Sequence, residues 1–246
     1  MKRVALCMRG AVSKNKDFTN KNDLYMNCEY IDYKQCYNSI VRHIIKPNLE
    51  NYSIDVFCHC WNEDIKKDII ELYQPVKYLF EDNCNYNKEI EKLCKLPTDF
   101  GGLSQALTIK KSIELKEQYE IEHNITYDIV ILYRYDVLLW KDMVLSNYTD
   151  LDNKIYVNAH IGKNGDFHFV MNKQKSTEFK NLYNSINLGN RHVVHHWIQN
   201  YIVKYMHTTL VMDDIIPGKH QEVLRKIRGF SIEKGYLSLN IFNSYK

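Results

Sequence analysis

Apolar residues gather in short runs separated by longer amphipathic stretches. The first run, "RVALCM" (3–8), passes directly into Arg9 and Gly10 and then into "SKNKDFTNKND", which has the composition of a loop. This predicts a buried strand with a loop at its carboxyl end. Residues 29–45 put Tyr33, Cys36, Tyr37, Ile40, Ile44 and Ile45 near one face before Pro47, which predicts a helix. "SIDVFCHCW" (53–61) reads as a second strand, 63–73 as a helix and "VKYLFED" (76–82) as a third strand.

An Asn-rich connection leads to the longest helix pattern, "GGLSQALTIKKSIELKEQYEIE" (101–122). Leu103, Ala106, Leu107 and Ile113 share one side of it, and Lys110 and Glu117 interrupt the stripe. "YDIVILY" (127–133) is continuously apolar, as a central strand covered on both faces requires. Strands alternating with helices over the first 140 residues predict an α/β fold. Its sheet is mostly parallel, with right-handed crossovers and flanking helices. Further on, "KIYVNAHI" (154–161) and "DFHFVMN" (166–172) predict strands around the turn "GKNG", with helices near 174–186 and 192–206. Residues 207–246 carry only a weak pattern. No repeat or Pro/Ser linker divides the chain, so one domain over 1–246 is expected.

Composition narrows the function classes. The charge of +3 comes without a long Lys/Arg block, so the chain lacks a nucleic-acid footprint, while the balance suits a small phosphate-bearing ligand. Seven cysteines without CxxC or zinc-finger spacing are expected to be reduced thiols in a cytoplasmic protein. The apolar run in "MKRVALCMRG" is too short for a signal peptide, and no stretch is long enough to span a bilayer.

In open α/β sheets ligands sit beyond the carboxyl ends of the strands. That rule selects Arg9, His59, Trp61, Glu81, Asp82, Arg134 and Asp136. In "LYRYDVLLW" (132–140) the arginine and aspartate alternate onto one side and Tyr135 onto the other. An aspartate there can ligate a hard cation, and an arginine can contact phosphate oxygens. The alternative is an Arg–Asp ion pair that caps the strand.

GxGxxG and GxxxxGK[ST] are absent, which weighs against dinucleotide dehydrogenases and P-loop enzymes. "FGGLSQA" places two glycines before a helix start whose free amides can hold an anion. On 192–206, Val194, Trp197, Ile198, Tyr201 and Tyr205 form an apolar stripe opposite His192, His196 and Gln199, without the glutamate of HExxH. Asp166 and His168, spaced by two on a strand, are expected on one face as acid/base or metal groups. A turn aspartate and a buried histidine are the alternative.

Taken together, the strand ending in Arg9-Gly10, "DVFCHCW", "SQALTIKKSIELKEQYE", "YDIVILYRYD" and "GDFHFVMNKQKSTEFKNLY" resemble small glycosyltransferases of the GT-A fold. These are encoded by large DNA viruses and bacterial surface-glycan clusters. The resemblance covers roughly residues 1–186 and is most specific over 103–136. It implies a Rossmann-like, mixed and mostly parallel sheet, with 1–140 as the nucleotide-binding half and 141–246 as the acceptor side. It also implies a nucleotide-diphosphate sugar donor, a glycan or glycoprotein acceptor and a Mn²⁺ or Mg²⁺ ion at a DxD-like motif. In that motif RYD takes the DxD place, with Asp136 as ligand to metal or diphosphate and Arg134 standing for the first aspartate. Arg9, Gly10, Ser104 and Gln105 are then expected near the nucleotide. Asp166 is the expected base toward the acceptor, with His168, His195 and His196 behind it. A non-catalytic nucleotide- or glycan-binding protein of the same fold is the alternative.

Overall fold

The strands and helices follow one another in the expected order. A computed structural model describes residues 1–12, 31–95, 99–160, 163–185, 194–216 and 219–223. The expected loop "SKNKDFTNKND", His192 and residues 224–246 lie outside them. The elements are β1 (Lys2–Gly10), α1 (Tyr33–Ile40), β2 (Tyr52–Cys60), α2 (Lys66–Tyr73), β3 (Lys77–Phe80), α3 (Asn87–Leu93), α4 (Asp99–His123), β4 (Ile129–Arg134), β5 (Val137–Leu139), β6 (Lys154–His160), β7 (Lys163–Met171), α5 (Lys173–Phe179), α6 (Val194–Asn200), β8 (Thr209–Met212) and β9 (Gln221–Val223). Short β5, β8 and β9 carried too few residues to show a period.

A seven-stranded sheet runs β3-β2-β1-β4-β7-β6-β8, and β5 pairs separately with β9. β1 is parallel to β2 and β4, β2 to β3 and β6 to β8, while β7 is antiparallel to both of its neighbours. The sheet is therefore mixed and mostly parallel, with helices on both faces. On one face Val4, Leu6, Met8, Ile131 and Tyr133 pack with Cys36 and Ile40 of α1 and Ile69 and Tyr73 of α2. On the other, Ala5, Cys7, Phe57, Val130 and Leu132 pack with Leu103, Ala106, Ile109 and Ile113 of α4. Two buried faces explain why β4 is apolar at every position from Ile129 to Tyr133. Each such fully buried aliphatic side chain stabilises the fold by roughly 2 kcal/mol.

α4 differs from its sequence pattern in two ways. It begins at Asp99, whose carboxylate accepts the Lys95 amide at 2.9 Å, so Gly101 and Gly102 lie inside the first turn and do not precede it. Its apolar stripe is interrupted because the helix also buries polar groups in pairs. Lys116 Nζ donates to Glu120 at 3.1 Å, and Glu120 accepts the Tyr127 amide at 3.0 Å.

β7 begins at Lys163, so most of "GKNG" is strand and not turn. The β6–β7 ladder shifts register between Val157 and Ala159, where the Asn158 side chain accepts the Phe167 amide at 2.9 Å. A Cβ on Gly165 would lie 1.8 Å from Asn158 Nδ2, so only glycine lets that side chain in. Gly165→Ala is expected to lower stability by about 1–3 kcal/mol through overpacking. A urea titration checks this, and a midpoint unchanged from wild type would contradict the close approach.

Candidate functional site at the sheet switch point

β1 is the strand from which the connections turn to both sides: β2 and β3 lie to one side, β4 and β7 to the other. The carboxyl ends of β1 and β4 thus flank a switch point, where α/β sheets open a crevice. Arg9 and Arg134 are register partners at that point. Because β7 runs the opposite way, its amino-terminal part brings Asp166 to the same edge.

Four charged side chains and an amide meet there. Arg134 forks onto Asp136, with Nε to Oδ1 at 2.8 Å and Nη2 to Oδ2 at 2.7 Å, and its Nη1 donates to Asp166 Oδ2 at 3.1 Å. Arg9 Nη2 donates to the Asp166 carbonyl at 2.6 Å, and Gln105 Nε2 donates to Asp166 Oδ2 at 2.8 Å. Phe169 lies under the Arg9 guanidinium and Phe167 under that of Arg134. Arg9 and Asp136 are buried, whereas the Arg134 side chain keeps 17% of its surface exposed. Burial alone would raise the Asp166 carboxyl pKa, but Arg134, His195 and Arg9 hold it below its ordinary value. Burial works against the Arg134 charge, and Asp136 and Asp166 more than restore it.

Of the residues the sequence reading assigned to the site, the structure joins Arg9, Gln105, Arg134, Asp136 and Asp166 directly, and His195 acts on Asp166 electrostatically. Ser104 stands apart, donating to Asn83 at 3.3 Å in the second turn of α4 and not at its start. Gly10, at φ 106°, donates its amide to Thr108 Oγ1 at 3.1 Å. His168 does not share a face with Asp166. Asp166 meets Gln105 on the α4 side, whereas the His168 ring stacks on Tyr133 on the α1 side and its Nε2 lies 2.6 Å from Asp213. The irregular register around Asn158 accounts for this departure from alternation. His196 is exposed on α6.

A second polar network borders the first. Thr108 Oγ1 lies 2.6 Å from His59 Nδ1, and His59 Nε2 lies 3.0 Å from Glu81. Glu81 also accepts from Tyr86 at 2.6 Å and pairs with Lys111 at 2.9 Å. A carboxylate facing Nε2 makes that nitrogen the donor, so Nδ1 accepts the Thr108 hydroxyl proton and Thr108 in turn accepts Gly10 N–H. Burial pushes the His59 pKa down, which favours the neutral ring this order needs. Thr108 and Lys111 were not singled out from the sequence, since a threonine and a lysine inside an amphipathic helix carry no signal of their own.

This network sets an acid limit on stability. Burial pushes Glu81 up, but bonds from His59, Tyr86 and Lys111 bring it from 4.5 to about 2. A depressed folded pKa means the unfolded chain binds more protons between those values, so stability is present above 4.5 and is lost as pH falls toward 2. Glu81→Gln is expected to remove roughly 3 kcal/mol of that loss. Urea midpoints of both proteins between pH 6 and about 3, an interval over which about 2 kcal/mol of that loss falls, check it, and parallel acid profiles would reject it.

The cation expected at Asp136 meets an occupied carboxylate. Both Asp136 oxygens accept from Arg134, and Asp166 Oδ2 accepts from Arg134 and Gln105. Among the described residues no three His, Cys, Asp or Glu side chains group as metal ligands. As built, the donor set does not fit a metal ion. The six described cysteines form no disulfide with one another, and burial pushes Cys7 up to about 12. No described helix is long and apolar enough to cross a membrane. A shallow depression beside Tyr127, Asp128, Lys173 and Thr177 lies at the opposite end of β4 and holds none of the expected site residues.

No family model matches the chain, and no curated protein matches it. Among solved structures it is similar to the crystal structure of a "putative nucleotide-diphospho-sugar transferase" from Desulfovibrio desulfuricans. The alignment covers 87% of this chain and 80% of that one, at 11% identity and a TM-score of 0.47.

Proposed function

We propose that this chain is a glycosyltransferase that moves a sugar from a nucleotide-diphosphate sugar to a hydroxyl of a glycan or glycoprotein. The observation that supports it most is the pairing of Arg9 with Arg134 across the switch point, with Asp166 beside them. Residues 1–140 form the donor half in this reading and 141–246 the acceptor side. A guanidinium has five N–H groups; three bonds to Asp136 and Asp166 leave Arg134 two, on the side chain that keeps some exposure. These two meet the diphosphate oxygens and stabilise the charge that grows on them as the leaving group departs.

In a single displacement the acceptor oxygen bonds to the anomeric carbon while the bond to the diphosphate breaks. The hydroxyl proton passes to Asp166, whose Oδ1 accepts no hydrogen bond among the described residues. Gln105 and Arg134 fix that carboxylate through Oδ2. The test is calorimetric titration with UDP-, GDP-, CMP- and dTDP-sugars, followed by an assay for nucleoside diphosphate release. Binding of one donor, weakened in Arg134→Gln, supports the reading, and no binding by any of them removes it.

A non-catalytic nucleotide- or glycan-binding protein is the second reading. The charge balance favours it, because two arginines and two aspartates already neutralise one another within the site. Binding without any release of sugar, to water or acceptor, would select it.

A further inference from the structure

We propose that Arg134 is a built-in cation. Its guanidinium stands between Asp136 and Asp166 in the place of a divalent ion, keeps metal out, and by its presence masks a latent two-carboxylate cation site. One planar group spans both carboxylates: the fork onto Asp136 measures 2.8 and 2.7 Å, and the bond to Asp166 measures 3.1 Å. Asp136 therefore has each oxygen committed to the same cation, and its side chain is 1% exposed. Arg9, bonded to the Asp166 carbonyl, adds a second fixed positive charge. A dication entering beside two guanidiniums meets repulsion from both and finds the Asp136 oxygens already bonded.

Without Arg134 the balance inverts. The two carboxylates then lose the cation that joins them, while Arg9, His195 and Gln105 still act on Asp166, in a buried place where like charges are unfavourable together. Hard divalent cations take carboxylate oxygens at about 2.0–2.6 Å, shorter than the 2.7, 2.8 and 3.1 Å bonds to the guanidinium, so the two side chains must close on the space it leaves. The chain thus carries both the ligands and the group that replaces the metal. The role of Arg134 toward a diphosphate rests on the nucleotide-sugar reading, but the exclusion of metal stands apart from it.

The experiment is a Mn²⁺ titration followed by electron paramagnetic resonance, with thermal melts in Mn²⁺ and in chelator. Wild type and Arg134→Lys are expected to hold no stoichiometric Mn²⁺ and to melt alike in both conditions. Arg134→Ala is expected to bind one Mn²⁺ per chain, roughly ten-fold or more tighter than wild type, and to melt higher with it. Arg134→Ala/Asp136→Asn should lose that gain. Should Arg134→Ala fold only in Mn²⁺, that rescue supports the proposal. Should it fold in neither condition, Arg134→Gln, which keeps hydrogen-bonding capacity without charge, carries the same titration. Stoichiometric Mn²⁺ on wild type that Asp136→Asn removes would overturn the proposal. So would Arg134→Ala and Arg134→Gln that gain nothing. No nucleotide enters these measurements, so failure to find a sugar donor leaves their outcome unaffected.

Discussion

Asp136→Ala is expected to destabilise the protein by about 3–5 kcal/mol, the range for breaking a buried ion pair from one side. The wild-type aspartate accepts two hydrogen bonds from Arg134 and is almost fully buried, so alanine leaves a guanidinium with half its partners in a place where water is scarce. Only Asp166 then remains to balance it, through a single bond of 3.1 Å. As the ligand to metal or diphosphate that the sequence predicts, Asp136 would be dispensable to the fold; the fork makes the fold itself the first casualty. Removing both charges together in Arg134→Ala/Asp136→Ala should cost less than the sum of the single changes, with a coupling of roughly 1–3 kcal/mol. Denaturant unfolding of the four proteins in the cycle measures this. A single variant within about 0.5 kcal/mol of wild type, as for an ordinary surface substitution, would mean that the pair is not closed in solution.

The same pair shows how far the sequence could be read. Period and continuity located every major strand, because a strand buried on two faces must be apolar along its length, and β4 is so up to Tyr133. Topology then brought Arg9 and Arg134 to one edge without any knowledge of contacts, since parallel strands end together. What the sequence could not carry is which partner a charge takes. Arg134 and Asp136 are separated by one residue both in a metal site and in an ion pair, and only the turn geometry at Tyr135 decides between them. Tyr135 is buried against Tyr73, which anchors the turn, and Ser39 holds β5 by exchanging bonds with Leu139. His168 was misplaced for a similar reason. Alternation assumes a regular ladder, and Asn158 enters it as a side-chain acceptor that no local pattern announces.

Asp166→Asn carries the other large expected effect: a loss of about 10²- to 10⁴-fold in the rate of sugar transfer, the usual range for a general base. Asparagine can still accept from Arg134 and Gln105 through its carbonyl oxygen, so the fold should persist, at a lower melting temperature because the charge that Arg134 pairs with is gone, while the rate collapses. The pH profile separates this role from a structural one. Arg134, His195 and Arg9 hold Asp166 below its ordinary value, so in the folded protein it stays ionised further into the acid range than a free carboxylate does. An acid limb due to this group must therefore lie below the ordinary carboxylate range. His195 is one of the groups whose charge helps to hold Asp166 ionised. A rate that falls with a midpoint near 6 to 7, and does so equally in Asp166→Asn, would therefore give the proton to the histidine and take it from Asp166. A rate flat across that interval in wild type, with kcat and not KM reduced in Asp166→Asn, places the base on the carboxylate that Gln105 and Arg134 hold at the switch point.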